Sequence, residues 1–292
     1  MSTLLDRPVR RGAGPWRVDE LDDADRAELI AFVDRDPIVN AVVAGRLHTL
    51  LSLSARRFGG QLLGVRDAHG RLAAAAFNGG NLLPMGGQPE HWLALAEFVA
   101  RRPRVCSSVV GHADTVAVMW PVLEAAWGAP RAVRRRQPLL ALDRAVADRP
   151  ADVGLRAVRR DELDAYLPAA AAMFAEELGV SPHEGGTGHY RSRVAALIRE
   201  GRAFGVVRGG EVVFKADFGA VSPRTCQIQG VWTRPDLRGQ GLGTAAMVGV
   251  LDRALALAPS ASLYVNDFNE PARRMYARLG MRDIAVLSTV LL

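Results

Sequence analysis

The sequence predicts an α/β (α+β) protein of two tandem domains that repeat one element order. Three observations carry that prediction. The chain has 292 residues, room for two domains at roughly 150 residues each. Hydrophobic residues make up 49% and charged residues 23%, a globular composition that excludes a disordered or fibrous chain. Apolar residues at strand and helix spacings alternate along the chain and are interrupted once, by charge and Pro150 between Asp143 and Asp152. The boundary is therefore placed there, giving domains 1-150 and 151-292.

In the second domain, Gly154 to Val158 reads as a strand, and Asp161 to Leu178 as a helix with Leu163, Leu167 and Phe174 at helical spacings. Val180 to Gly186 is a turn-rich loop, followed by a helix from His189 to Glu200. Ala203 to Val207 and Glu211 to Phe218 flank Gly209 and Gly210, which suit a hairpin because both turn positions accept positive φ. A strand from Cys226 to Thr233 is stopped by Pro235. Then come a glycine-rich turn, a helix from Leu242 to Ala258, a strand Ser262 to Val265, a helix Glu270 to Leu279, and two strands' worth of apolar residues through Leu292.

The first domain follows the same order. Trp16 to Val18 is strand-like, Asp22 to Val33 and Val39 to Leu51 are helical, and Gln61 to Val65 with Leu72 to Phe77 forms a hairpin around Asp67 to Gly70. Asn81 to Met85, a helix Glu90 to Arg101, a strand Cys106 to Val110, a helix Ala113 to Trp127 and a strand Pro138 to Leu142 complete it. The match in order implies an internal structural repeat without sequence identity.

Composition excludes several functions. No stretch reaches the ~18 consecutive apolar residues of a membrane span, and Met1 to Trp16 lacks the apolar core of a secretory signal, so a cytoplasmic protein is expected. The two cysteines, Cys106 and Cys226, have no ligand-spaced partners, which excludes a disulfide scaffold or zinc site. The net charge is +6, yet the densest basic run, Arg134 to Arg136, has no interleaved aromatics, so nucleic acid is not an expected partner. Lys215 is the only lysine among the 37 lysines and arginines.

Two segments carry chemistry. Arg238-Gly239-Gln240-Gly241-Leu242-Gly243-Thr244 lies between a strand and a helix, where glycines let successive N–H groups converge at the helix N-terminus and bind a pyrophosphate. Alone the pattern is common. The second segment, Asn269 to Met281, is a fully punctuated short helix: Asn269 suits the N-cap, Glu270 and Pro271 the first turn, and Gly280 the position after the end. Met275 and Leu279 face the core, Arg274 and Arg278 face water, and Ala272 one turn before Tyr276 leaves space beside the phenol for a ligand.

In this order and spacing the two segments resemble the GNAT superfamily of acyl-CoA-dependent N-acyltransferases, and more narrowly actinobacterial members with an uncharacterised N-terminal domain. The pattern R/Q-x-x-G-x-G/A is matched, and N-x-x-A-x-x-x-Y-x-x-x-G-F is matched except that Met281 replaces the aromatic. The resemblance covers about 153 to 292. It implies two tandem GNAT-like domains, each a mixed, mostly antiparallel sheet flanked by helices. It implies acetyl-CoA as cofactor, with Arg238, Gly239, Gln240, Gly241, Leu242, Gly243 and Thr244 on its pyrophosphate and Val231, Trp232 and Thr233 pairing with its pantetheine arm like an added strand. Asn266, Asn269, Ala272 and Tyr276 would line the rest. It further implies that the Val231 amide polarises the thioester carbonyl and that Tyr276 protonates the departing thiolate.

A general base is less legible. Strand alternation puts Gln227, Gln229, Val231 and Thr233 on one face, where some lysine-acting members of the family carry a glutamate in place of Gln227. Glutamine cannot accept the proton. Glu176, Glu177, Glu184 and Asp217 are the nearby carboxylates; Lys215 and Asp217, two apart, share a strand face and suit a salt bridge. A site without an evident base suits an amine of low pKa: deprotonating an ε-amine near ~10.4 at neutral pH costs on the order of 4 kcal/mol, and an α-amine near ~8 about 1. The expected reaction is acetyl transfer from acetyl-CoA to a primary amine of a small molecule or peptide, by a monomer or homodimer.

In the first domain, Pro84 to Glu90 occupies the place of the pyrophosphate turn without its pattern, so that copy reads as degenerate. Two alternatives remain. An acyl-CoA pocket without a base would make a sensor, which turnover of an amine panel separates. A Rossmann dinucleotide domain would use Gly239, Gly241 and Asp267, but Thr244 stands at the third glycine and too little chain remains for a parallel sheet.

Overall fold

The computed structural model describes residues 16–147, 153–179, 181 and 187–292. The loop residues His183 and Glu184 lie outside them. In chain order the elements are β1 (Arg17–Glu20), α1 (Arg26–Val33), α2 (Ala41–Thr49), α3 (Ala55–Phe58), β2 (Gly60–Arg66), β3 (Leu72–Gly79), β4 (Leu82–Met85), α4 (Pro89–Ala100), β5 (Ser108–His112), α5 (Ala113–Trp127) and β6 (Ala132–Leu142). They continue as β7 (Arg156–Ala157), α6 (Leu163–Leu178), α7 (Thr187–Arg199), β8 (Ala203–Arg208), β9 (Glu211–Val221), β10 (Cys226–Thr233), α8 (Leu242–Leu257), β11 (Ala261–Tyr264), α9 (Glu270–Arg278) and β12 (Arg282–Leu291).

The chain forms two compact units. The first comprises described residues up to Asp36, Thr49–Arg136 and Leu287–Leu292; the second comprises Pro37–His48 and Gln137–Val286. They are not the two halves of the sequence on either side of residue 150. The closing residues of the chain lie in the first unit, and Gln137 to Leu142 lie in the second.

Each unit has the same mixed, mostly antiparallel topology. In the first, β1, β2, β3 and β4 pair antiparallel in that order, β4 meets β5 in parallel at Leu82 and Val109, and β5 pairs antiparallel with Leu287–Leu291 of β12. In the second, β7, β8, β9 and β10 pair antiparallel, β10 meets β11 in parallel, and β11 pairs antiparallel with Leu139–Leu142 of β6. This is the repeat expected from the element order. The lone parallel pairing in each unit excludes the doubly wound parallel sheet of a dinucleotide domain.

The β8–β9 hairpin turns at Gly209 and Gly210, both at positive φ. Alternation along β9 then decides the two faces of the second sheet. Phe214, Ala216 and Phe218 join α8 and Tyr276 in one core, while Lys215 and Asp217 point to the other face, where Tyr166 and Ala170 of α6 and Val194 and Ile198 of α7 pack. Apolar residues on α8, among them Leu242, Ala246, Val250 and Ala254 at helical spacing, bury against the first of these faces. Residues 37–48 join this unit by close packing: a Cβ at Gly45 of α2 would stand 2.7 Å from the Val221 carbonyl oxygen, so only glycine admits the approach.

Three elements differ from the sequence reading, the first being the short helix α3, which it did not contain. The segment after Met281 is one strand, β12, not two, and β6 begins at Ala132, so the arginine run 134–136 lies within a strand. No helix among the described residues is long and apolar enough to cross a membrane. Both cysteines are buried and free, and no group of potential metal ligands occurs among the described residues.

Candidate functional site

The site forms where β10 and β11 separate. Their parallel register holds only at Cys226 with Ala261 and Gln227 with Ser262, after which the two strands pair no further. On its other side β10 stays paired with β9, but its register slips between Gln229, opposite Asp217, and Trp232, opposite Lys215. Gly230 and Val231 therefore face the single residue Ala216, a β-bulge, and Gly230 takes φ +58 to make it.

The bulge also breaks the expected alternation. Gln227, Gln229, Val231 and Thr233 do not form one continuous face. Trp232 shares the Gln229 face and packs with Tyr166, whereas Val231 packs against the core that contains Leu242, Ala272, Met275 and Tyr276. The physical reason is one extra residue in the strand, which shifts every later side chain by half a period.

Downstream, Gly239 (φ +75) and Gly241 (φ +83) turn the chain into α8, and a Cβ on either would meet nothing within 4 Å. Gly241 occupies the N-cap position with no side-chain cap. Among the described residues, no protein group accepts a hydrogen bond from the amides of Gly239 through Thr244. A row of unsatisfied donors at a helix N-terminus, beside open space, fits a pyrophosphate. The side chains of the turn brace it: Gln240 Nε2 donates to the Asp236 carbonyl at 2.8 Å and Arg238 Nε to the Thr233 carbonyl at 2.9 Å. Thr233 Oγ1 also lies within 3.0 Å of where a Gly243 Cβ would stand.

Tyr276 is buried on α9. Its hydroxyl has no hydrogen-bond partner among the described residues, so it does not serve as a core tyrosine tied to a backbone carbonyl. Burial pushes its pKa well above the ordinary phenol value, and the Glu177 charge adds to that. Ala272 sits one turn before it, as the spacing implied. Asn269 caps α9, its Oδ1 accepting from the Ala272 amide at 3.3 Å, and Asn266 Oδ1 accepts from Gln137 Nε2 at 2.9 Å.

Two of the candidate carboxylates are committed elsewhere. Glu176 accepts from Arg238 Nη2 at 2.7 Å and from Trp232 Nε1 at 2.9 Å, which ties the end of α6 to the turn. Asp217 is buried, accepting from Tyr166 Oη at 2.6 Å and from Lys215 Nζ at 2.7 Å. Glu177 is exposed at the end of α6. Gln227 is buried in the ladder between Ala220 and Ser262, and the Gln229 amide lies directly over Gly219, filling the space a Cβ would need there. Sequence reasoning did not find Tyr166 or the Gly230 bulge; the one available signal was the single lysine in an arginine-rich chain.

The first unit lacks an open counterpart. Its turn holds Gly86 and Gly87 at positive φ, but a Cβ on Gly86 would meet Phe32 at 2.5 Å and one on Gly87 would meet Ala74 at 2.7 Å. Trp92 Nε1 donates to the Gly86 carbonyl at 2.7 Å. The following helix is capped by Gln88 and His91, which exchange side-chain bonds with each other's amides, and Pro84 lies against Gly111 on the neighbouring strand.

Comparison with known proteins finds the Acetyltransferase (GNAT) family model matching residues 159–281, and a family described as a domain of unknown function (DUF4081) matching residues 60–166. A search of curated proteins finds no match. Among solved structures, the chain is similar to a GNAT-family acetyltransferase from Colwellia psychrerythraea, with 13% identity, 94% of this chain and 100% of that chain covered, and a TM-score of 0.56. It is similar to a GCN5-related N-acetyltransferase from Sphaerobacter thermophilus at 16% identity, 95% and 96% coverage and a TM-score of 0.58. It is also similar to a tandem GNAT protein from the clavulanic acid biosynthesis pathway at 15% identity, 94% and 98% coverage and a TM-score of 0.56. At these identities the structural likenesses carry the fold: two GNAT-like domains in tandem.

Proposed function

We propose, from the match of residues 159–281 to the Acetyltransferase (GNAT) family model, that the second unit transfers an acetyl group from acetyl-CoA to a primary amine of a small molecule or peptide. The observation that carries this reading is the uncapped turn from Gly239 to Thr244, open at Gly239 and Gly241, beside the splayed edge of β10. The first unit, with its turn filled by Phe32 and Trp92, is read as a copy without a cofactor site.

Bound acetyl-CoA supplies an acyl group already activated as a thioester. The chain's own residues then have three tasks. The amides of Gly239 through Thr244 hold the pyrophosphate, where backbone donors need no reorganisation. The edge of β10 from Val231 to Thr233 receives the pantetheine arm as an added strand, and the Val231 amide stabilises negative charge growing on the acyl oxygen. Tyr276 Oη, kept protonated by burial and free of any competing bond, gives a proton to the thiolate as it leaves.

Of the candidate carboxylates, Glu176 is held by Arg238 and Trp232, Asp217 by Lys215 and Tyr166, and Glu177 is exposed at the end of α6, so none of the three is a buried, uncommitted base. The acceptor is accordingly an amine that is partly neutral near pH 7, such as an α-amine, or one that loses its proton through water. The same lack of a base favours a second reading, an acyl-CoA sensor that does not turn over.

The test is a melting experiment followed by a turnover assay. Acetyl-CoA at about 100 times its Kd should stabilise the protein by roughly 2.7 kcal/mol, several degrees in Tm. Release of free CoA thiol with a panel of amines then separates enzyme from sensor. No shift at millimolar acetyl-CoA or CoA overturns both.

A further inference from the structure

The chain uses arginine for nearly every cation, yet its single lysine is completely buried in the second unit. Lys215 Nζ donates to Asp217 Oδ2 at 2.7 Å and to the Gly230 carbonyl at 2.7 Å, and stands 5.5 Å from the centre of the Tyr166 ring. Tyr166 in turn donates to the second oxygen of Asp217 at 2.6 Å. A buried ion pair costs desolvation that apolar residues of similar size would avoid, so on stability alone it has little reason to be there. The site also demands an ammonium and not a guanidinium. Its acceptors converge on one point from a neighbouring carboxylate and a bulge carbonyl, which a compact three-donor group serves and a planar fork does not. Space confirms the fit: a Cβ on Gly230 would lie 2.8 Å from Nζ.

What distinguishes the bond to Gly230 is the peptide it touches. The Gly230 carbonyl and the Val231 amide belong to one trans peptide unit, with C=O and N–H pointing in opposite directions. A cation on that oxygen withdraws electron density through the amide resonance and makes the N–H at the far end a stronger donor, as hydrogen bonds in a chain polarise one another. We propose that Lys215 is a positioning residue for acyl transfer, which holds the bulge and, through the single Gly230–Val231 peptide, strengthens the Val231 amide as donor to the acyl oxygen. Asp217 and Tyr166 keep the ammonium in place. This rests on the reading of the second unit as an acetyl-CoA site.

The double variant Lys215→Met with Asp217→Asn removes both charges together, so that no lone buried charge is left, and the carboxamide oxygen it introduces can still accept from Tyr166. Its kcat should fall about 10- to 100-fold, somewhat less than the ~10²–10³ lost when such a donor is removed outright. The carbonyl stretch of bound acetyl-CoA labelled with ¹³C at the carbonyl should be lowered in the wild type and return toward its solution frequency in the variant. Affinity for CoA, which has no acyl oxygen, should stay within about threefold. A lowered carbonyl frequency and an unchanged kcat in the variant overturn the proposal, whereas failure of the wild type to bind acetyl-CoA overturns the proposed function itself.

A second measurement needs no variant. With one lysine in the chain, ¹⁵N-lysine labels a single ammonium, and its resonance should move when acetyl-CoA saturates the wild type and move less with CoA. An unmoved resonance at saturation overturns the proposal even if the double variant does not fold.

Discussion

At the residue scale, the open cradle and the closed one give a matched test. Gly241→Glu puts a side chain and a negative charge where the phosphates would sit, and it should abolish acetyl-CoA binding measured by calorimetry. The analogous change at Gly86 or Gly87 is no control, because Phe32 and Ala74 would be struck and the first unit destabilised. Gly80→Glu serves instead, since it lies in the first unit with nothing within 4 Å, and it should leave binding unchanged. Tyr276→Phe should keep affinity within a few-fold and lower turnover by roughly 10²- to 10⁴-fold, and the opposite pattern would make Tyr276 only a wall of the pocket. The direction of its pKa adds a pH test. A phenol raised above its ordinary value of 10.0 keeps its proton past that pH, so the rate should climb through the pKa of the acceptor amine and show no alkaline fall below pH 10. These residues were legible because glycine, asparagine and a helix-spaced tyrosine leave local marks. The Lys215–Asp217 pair was legible from its two-residue spacing, but its junction with Tyr166 was not, since that contact spans strand to helix and no periodicity encodes it.

At the scale of elements, α6 is fixed at its start by one carboxylate. Glu162 accepts from both terminal nitrogens of Arg156 on the edge strand β7, at 2.7 and 2.6 Å, and from the Arg159 amide at 2.9 Å. Those bonds from Arg156, followed by the Arg159 amide, lower its pKa from 4.5 to about 2. A carboxylate whose pKa is depressed by folding stabilises the native state above its unfolded value and ceases to do so as pH falls through the folded one. Wild type should therefore exceed Glu162→Gln in stability at pH 6, by on the order of 1 kcal/mol given the exposed guanidinium, and the difference should vanish between about pH 4.5 and 2. Denaturant titrations of the two proteins across that range check it; a difference that persists at pH 2 would show that Glu162 acts through packing. Elements with strong punctuation, such as the Gly209-Gly210 hairpin and the helix between Asn269 and Gly280, follow from sequence alone. The start of β6 does not, because Arg134 to Arg136 read as solvated charge and strand alternation does not require apolar residues at an exposed end. The bulge in β10 is hidden for a related reason: a single glycine in a strand marks a site where register can slip without saying that it does.

At the scale of the whole molecule, the break near residue 150 was read from local composition, whereas strand partners are set by contacts far apart in sequence. The chain reaches residue 142 with a strand whose ladder partner, β11, comes more than a hundred residues later, and the last strand returns to β5. A cut at the composition break therefore strands both pieces. Fragment 151–292 retains the cradle, the bulge and Tyr276, but loses Leu139 to Leu142, the ladder partners of Leu263 and its neighbours, and with them Leu140 and Leu142 from the core around Tyr276. It also carries Leu287 to Leu291 without their partners on β5. Unpaired apolar strands are sites of aggregation, and losing buried leucines costs about 2–5 kcal/mol each against a total stability of ~5–15 kcal/mol. Fragment 151–292 should therefore be insoluble or lack a dispersed amide spectrum, and should bind no acetyl-CoA. Supplying fragment 1–150 during refolding should restore both, since it brings Leu139 to Leu142 for β11 and β5 for the last strand. A soluble, well-dispersed fragment 151–292 that binds acetyl-CoA alone would mean that the two exchanged strands contribute little, and that the sequence break, not the strand partners, delimits the folding unit.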